Sequence, residues 1–320
     1  MRSSWTGLAM VLALAGVGVA TATAAAATCD RACLIKATDA YLAAVAAHDP
    51  AKAPLAPDVA FVENLKRLKP GEGLWKTETG GPTAFAIYVP DPQLQQAGWM
   101  GVVQQDGKPV MLALRLRLKD GRITEAEHLV APPMRDGIEH LGSVRPRLVA
   151  EIADGQRLPH DRLIGIGASY YDALDDNDGS KSPLAQDCQR RENGMTTAGE
   201  GANAAPADAS NRSPIAHDCK GQIDSQSFIY IDRIVNRRMV AADTQTGLVM
   251  GLSHFHMPMD NLPYKVRHVD GSTSERNKQN FTNAPFDMPA AHIFKVGPEG
   301  EIHEIEAVGP IMPYNSPTGW

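Results

Sequence analysis

A stretch of 31 residues that occurs twice constrains this chain more than any motif in it. Shifted by 129 positions, Leu34, Ile35, Tyr41, Ala44, Asp49, Lys52, Pro54, Leu55, Ala56, Asp58, Glu63 and Asn64 fall on Leu163, Ile164, Tyr170, Ala173, Asp178, Lys181, Pro183, Leu184, Ala185, Asp187, Glu192 and Asn193. Unrelated segments of ordinary composition share about two residues over such a length. The chain therefore reads first as an internal duplication. At 320 residues it has room for two domains, each with its own core.

The ends of the repeat divide the sequence. Residues 1–27 read as a secretory signal peptide: Arg2 is the positive start, Leu8 to Val19 the short apolar run, and Thr21 to Ala27 the small-residue cleavage region. That run is too short for a membrane helix, so no membrane association is expected after cleavage. A first domain over 28–133, a linker over 134–160 and a second domain over 161–320 follow. The expected compartment is secreted or periplasmic. Four cysteines there, Cys29, Cys33, Cys188 and Cys219, favour two disulfides. Three pairings are open; the favoured one joins Cys29 to Cys33 and Cys188 to Cys219. A net charge of −6 offers no basic field for nucleic acid.

Apolar spacing at Leu34, Tyr41, Leu42 and Val45 predicts a helix from Asp30 to Ala47, stopped by His48-Asp49-Pro50. Strands are expected at Val59 to Val62, Phe85 to Val89, Gly98 to Gln104, Val110 to Leu118 and Arg122 to Val130. Asp106-Gly107 and Asp120-Gly121 make the last three a meander. The second copy repeats the helix from about Arg162, and its closing strand Glu301 to Val308 matches the first at a shift of 179. Fifty residues are thus added within it. A match of Val110-Met111 to Val249-Met250 places about ten of them early and forty late, in a polar block from Met257 to Pro289 expected to be a loop. Helices followed by strands with one face to cover make an α+β fold.

Cys33-Leu34-Ile35 to Tyr41-Leu42, His48-Asp49-Pro50, Pro54-Leu55-Ala56, Glu63-Asn64 and Gly71-Glu72-Gly73-Leu74-Trp75, with Tyr170 to Leu174 and Arg190-Arg191-Glu192-Asn193-Gly194 later, resemble an uncharacterised family of secreted fungal and bacterial proteins. Its domains are similar to the SnoaL-like and nuclear-transport-factor-2-like fold. The resemblance implies two tandem cone-shaped, curved antiparallel sheets, each packed on N-terminal helices and paired as an intramolecular pseudo-dimer, with an apolar pocket at a cone's open end. The wider fold includes isomerases, cyclases, dehydratases and pure binders, so it does not settle function.

Candidate chemistry centres on the second copy. His254-Phe255-His256 ends an apolar strand, and residues two apart share a face, so both imidazoles are candidate proton carriers or metal ligands. For a metal the third ligand would come from Asp260, His292 or Glu304; the more ordinary reading is a polar strand end rimming solvent. Tyr170 and its equivalent Tyr41 are placed to donate to a ligand carbonyl, or else are core tyrosines with satisfied hydroxyls. The repeated Glu63-Asn64 and Glu192-Asn193 offer either a general base or a turn-holding pair. With Trp75 these complete the candidate ligand-binding set. No dinucleotide, calcium or nucleophile-elbow motif survives inspection, and no cofactor or metal is expected.

The expectation is a secreted protein that binds a small apolar molecule, catalysing on it a cofactor-independent isomerisation, dehydration or lyase step through His254, His256 and Tyr170. The alternative is a non-catalytic ligand-binding or structural protein.

Overall fold

The computed structural model describes residue 1 and residues 28–200, 202 and 216–320. The expected signal peptide lies outside the described residues apart from Met1. Helix α1 (Arg31–Ala46) begins where the Asp30 carboxylate accepts the Cys33 N–H at 2.8 Å. This cap satisfies one of the donors that a helix start leaves free. Its buried face carries Leu34, Thr38, Tyr41, Leu42, Ala44 and Val45, and the Cys29–Cys33 disulfide ties its first turn. Asp49 then caps the proline turn by accepting the Ala51 N–H, and Asp178 does the same for Ser180, so one repeated aspartate does one repeated job.

The first half continues through β1 (Leu55–Glu63), β2 (Lys66–Leu68), a short α2 (Leu74–Thr77), β3 (Glu78–Gly80), β4 (Ala86–Asp91), β5 (Gln96–Gln105), β6 (Lys108–Lys119) and β7 (Arg122–Ala131). They form one sheet in the order β2-β1-β7-β6-β5-β3, with β4 on β5. The expected meander β5-β6-β7 is present. The β1–β7 pair is parallel, which places the chain's first strand beside its last.

After α3 (Pro146–Val149), the second half runs α4 (His160–Asp175), β8 (Leu184–Glu192), β9 (Met195–Ala198), α5 (Cys219–Asp224), β10 (Arg233–Asp243), β11 (Leu248–Met257), β12 (Tyr264–Arg267), β13 (Thr273–Arg276), β14 (Phe286–Val296), β15 (Ile302–Val308) and β16 (Met312–Pro313). Its main sheet has the order β10-β11-β14-β15-β8-β9, again with one parallel pair, β15 with β8. Cys188 of β8 is bonded to Cys219 of α5. The two halves are therefore mixed α+β with corresponding strand orders, β11 answering to β5 and β14 to β6.

That correspondence corrects the placement of the added residues. Val110-Met111 lie on β6 while Val249-Met250 lie on β11, so their match joins strands that are not equivalent. Between β11 and β14 stand 28 residues, 258–285, where two stand between β5 and β6. They are not a structureless loop. Strands β12 and β13 pair as a hairpin, which packs on the segment after α5: Arg267 N–H donates to Ser225 and Arg276 to the Ser227 carbonyl, and Phe281 meets Tyr230 edge-on. Leu262 and Phe281 add to the second core beside Phe228, Phe255, Met257 and Phe294.

The two sheets face each other across a third apolar layer. Met100, Val102, Met111, Ala113 and Leu129 come from the first half, and Leu248, Met250, Leu252, Ala291 and Ile293 from the second. Two ion pairs flank it. Arg31 at the start of α1 binds Asp243 at the end of β10 at 2.9 Å, and His160 at the start of α4 binds Asp91 at the end of β4 at 2.8 Å.

Candidate functional site

Alternation along β11 sorts its side chains to two sides. Val249, Phe255 and Met257 point into the second core, whereas Leu248, Met250 and Leu252 point toward the first sheet. His254 and His256 share the parity of the latter set. They are buried within a ten-residue strand, not at a polar rim.

Directly across the ladder, Asp287 of β14 is the register partner of His256. Its carboxylate is fully buried and lies between both rings: Oδ1 accepts from His256 Nδ1 at 2.8 Å, and Oδ2 stands 3.0 Å from His254 Nε2. The rings stack, with centroids 4.5 Å apart. Ser316 N–H donates to Oδ2 at 2.9 Å. The His254–Asp287 approach is not aligned for a hydrogen bond, and neither ring nitrogen of His254 has a hydrogen-bond partner, although the residue is 3% exposed. Burial, helped by His256 and the Arg233 charge, holds its pKa below the ordinary histidine value against the pull of Asp287.

His254 forms part of the wall of a cavity of about 210 Å³ between the two sheets. Leu65 and Leu129 contribute from the first half, Leu252 and Pro289 from the second, and Trp320 from the C-terminal segment. The polar side of the wall holds Arg238, whose guanidinium grips Glu127 at 2.8 and 3.0 Å. The indole of Trp320 lies within 6 Å of the guanidinium carbons of Arg67, Arg115 and Arg238. The final residues thus cross from the second sheet to the first.

The other expected site residues lie elsewhere. Tyr170 is sealed in the second core on the opposite side of the sheet, where its hydroxyl accepts from Arg190 Nε at 2.9 Å and Arg190 binds Glu192 at 2.7 Å. The structure does not bring it to the histidines. Burial pushes its phenol up, opposed by the Arg190 charge. Tyr41 is equally enclosed: its hydroxyl is 2.9 Å from His128 Nε2, whose Nδ1 is 3.1 Å from Glu63, and Trp75 meets its ring edge-on at 5.2 Å. Glu63 also accepts the Leu74 N–H that opens α2. Asn64 and Asn193 each hold the end of a last strand by two bonds, to Val130 and Gly309 respectively. Of the three proposed third ligands, His292 packs in the second core against Phe294, and Glu304 pairs with Arg145. Neither they nor Asp260 belong to the histidine cluster, whose third member is Asp287. Asp287 lay inside the presumed loop, and only the β11–β14 register reveals it.

A model of a domain of unknown function, DUF8021, matches residues 156–309. A search of curated proteins returned no match. Among solved structures, a "putative polyketide cyclase" from Silicibacter sp. TM1040 aligns with 48% of this chain and 92% of its own, at 14% identity and a TM-score of 0.29. Another "putative polyketide cyclase", from Xanthomonas campestris pv. campestris, aligns with 47% and 90% at 15% identity and 0.26. Among the described residues no helix is long and apolar enough to cross a membrane.

Proposed function

We propose that this chain binds a small, mainly apolar molecule in the cavity between its two sheets. One observation carries the reading: a buried histidine stands in the wall of that cavity with its Nδ1 lacking any hydrogen-bond partner and its Nε2 held only by an unaligned contact to Asp287. Buried polar groups are ordinarily satisfied, so an unpaired one beside a cavity marks a place for a partner. The volume lies between a pocket of about 150 Å³ that takes benzene and the lower end of ordinary ligand sites, about 300 Å³. A one- or two-ring molecule with a single polar function fits that range. Any isomerisation, dehydration or lyase step on it would centre on His254 without Tyr170. The non-catalytic alternative draws support from Tyr41 and Tyr170, whose hydroxyls already have partners.

The same reading takes the two halves as duplicated cone-shaped SnoaL-like domains, 28–133 and 161–320, joined by the 134–160 linker. They pair as one molecule's own dimer. Support comes from the matching strand orders and from the reciprocal pairs Arg31–Asp243 and His160–Asp91. Residue i of one half meeting j of the other, and the converse, is the signature of a two-fold interface. Export of the mature chain is proposed on the two disulfides and the leader.

Saturation-transfer NMR with a panel of mono- and bicyclic ketones and phenols tests the site. Binders should appear for the wild type and vanish in Leu252→Trp, which fills the cavity, with the fold intact by circular dichroism. Binding that survives Leu252→Trp would place the ligand elsewhere.

A further inference from the structure

We propose that His254, His256 and Asp287 bind one divalent first-row transition-metal ion beside the cavity. The proposal goes beyond the binding of an organic molecule and stands whether or not the cavity takes one.

The argument begins with the strands. Two histidines two apart on β11 present both imidazoles on one face, and the β11–β14 register sets Asp287 opposite His256. Three potential ligand atoms are thereby held within 4.8 Å of one another by two paired strands. Ligands around an ion bound at about 2.0–2.2 Å stand about 3–3.5 Å from one another, so the 2.8 and 3.0 Å imidazole–carboxylate contacts would open slightly to admit one. Two neutral imidazoles and one carboxylate suit zinc, iron or cobalt; magnesium and calcium prefer all-oxygen sites.

The competing reading is a buried aspartate tied down by two histidines. It accounts for His256, which is aligned on Oδ1. It accounts only in part for His254, whose Nε2 meets Oδ2 at 3.0 Å out of good hydrogen-bond alignment and whose Nδ1 has no hydrogen-bond partner. An ion takes up a lone pair where no N–H···O bond is made. Ser316 N–H meanwhile holds the carboxylate from behind, as outer partners of metal ligands do. The nearest cation on β10, Arg233, is the register partner of His256, but its guanidinium is turned outward onto Asp232 at 2.6 Å.

The test uses the untagged full-length protein with both disulfides intact, stripped with a chelator and dialysed. Zinc is titrated calorimetrically, and cobalt is added separately for its visible absorption. The expected result is one zinc per chain, a cobalt spectrum showing nitrogen and oxygen ligation, and a rise in melting temperature with zinc. His254→Gln and His256→Gln should each weaken zinc binding by about 100-fold or more, whereas His303→Gln, at a half-buried histidine paired with Asp187 and Glu299 outside the cluster, should leave it unchanged. Circular dichroism checks that each variant folds; should one not fold, the other single variant and the wild-type cobalt spectrum decide. No stoichiometric binding by wild type, or equal loss in His303→Gln, would overturn the proposal.

Discussion

Asn64 and Asn193 show how a single residue type can be required twice for one local reason. Both have φ of +45°, in the left-handed region that asparagine tolerates better than most side chains. From there each amide donates to and accepts from one residue at the end of the closing strand or just past it: Val130 at 3.0 and 2.8 Å, Gly309 at 2.9 and 3.0 Å. The turn after the first strand of each half is thus bolted to the end of its last. Replacing either asparagine by alanine removes two hydrogen bonds and leaves a strained backbone. A loss of roughly 2 kcal/mol is expected from each by urea denaturation. Unchanged midpoints would mean that the turn holds without its side chain. Glu63 and Glu192, identical in sequence, diverge in use: one opens α2 through the Leu74 N–H and the other pairs with Arg190. Position 61 accounts for part of the divergence, because Phe61 corresponds to Arg190: the second carboxylate meets a buried guanidinium, whereas the first meets the buried His128 ring from the neighbouring strand.

At the scale of elements, the sequence revealed those whose signals are local. Helix α1 and strands β5 to β7 follow from apolar spacing and Asp-Gly turns, and they appear within a few residues of where that spacing puts them. What it hid depends on partners far along the chain. Strand β10 alternates poorly because Asn236, Arg237 and Arg238 serve the cavity wall and a helix face, and β14 was masked by the polar hairpin leading into it. The candidate site was half legible for the same reason. Two histidines on one strand are visible as a pair, but their carboxylate arrives by strand pairing. Strand β3 supplies a prediction of its own. Glu78 on it is buried with neither carboxylate oxygen bonded, and burial pushes its pKa up to about 7. The folded state therefore binds this proton more tightly than the unfolded chain does. The resulting contribution is full below about pH 4.5 and is lost as pH rises through about 7. Glu78→Gln should be more stable than wild type at pH 8 by roughly 2 kcal/mol and nearly equal to it at pH 4. A gap of the same size at both pH values would show that ionisation of Glu78 is not its cause.

For the molecule as a whole, the question is what keeps the two sheets in register around the cavity. The apolar layer from Met100 to Ile293 supplies most of the attraction, being large and fully buried, but apolar contact is not directional. Orientation falls to directional ion pairs, Arg238–Glu127 in the cavity wall and the two flanking pairs, and the flanking two differ in chemistry although they occupy corresponding places. Arginine is charged at every accessible pH. His160 is not: burial opposes its charge, yet Asp161 and Asp91 outweigh it and raise its pKa above the ordinary 6.5. A histidine with a raised folded pKa stabilises fully below the unfolded value, and that contribution disappears as pH climbs through the folded one. Asp91 also accepts the Ala242 N–H at 2.8 Å and the Leu94 N–H at 2.9 Å, so its carboxylate keeps two partners when the imidazole loses its proton. The junction should accordingly loosen on one side only as pH rises above the ordinary histidine range. Thermal melts from pH 6 to 9 should show wild type losing about 1 kcal/mol across that window. His160→Gln should start lower and fall by about 1 kcal/mol less than wild type across the window, and Arg31→Gln should run below wild type with the same slope. If His160→Gln retained the wild-type slope, the pH response would have to come from another group. Since residues of both halves line the cavity, a ligand held there should exchange faster at the alkaline end in wild type, but at an unchanging rate in His160→Gln.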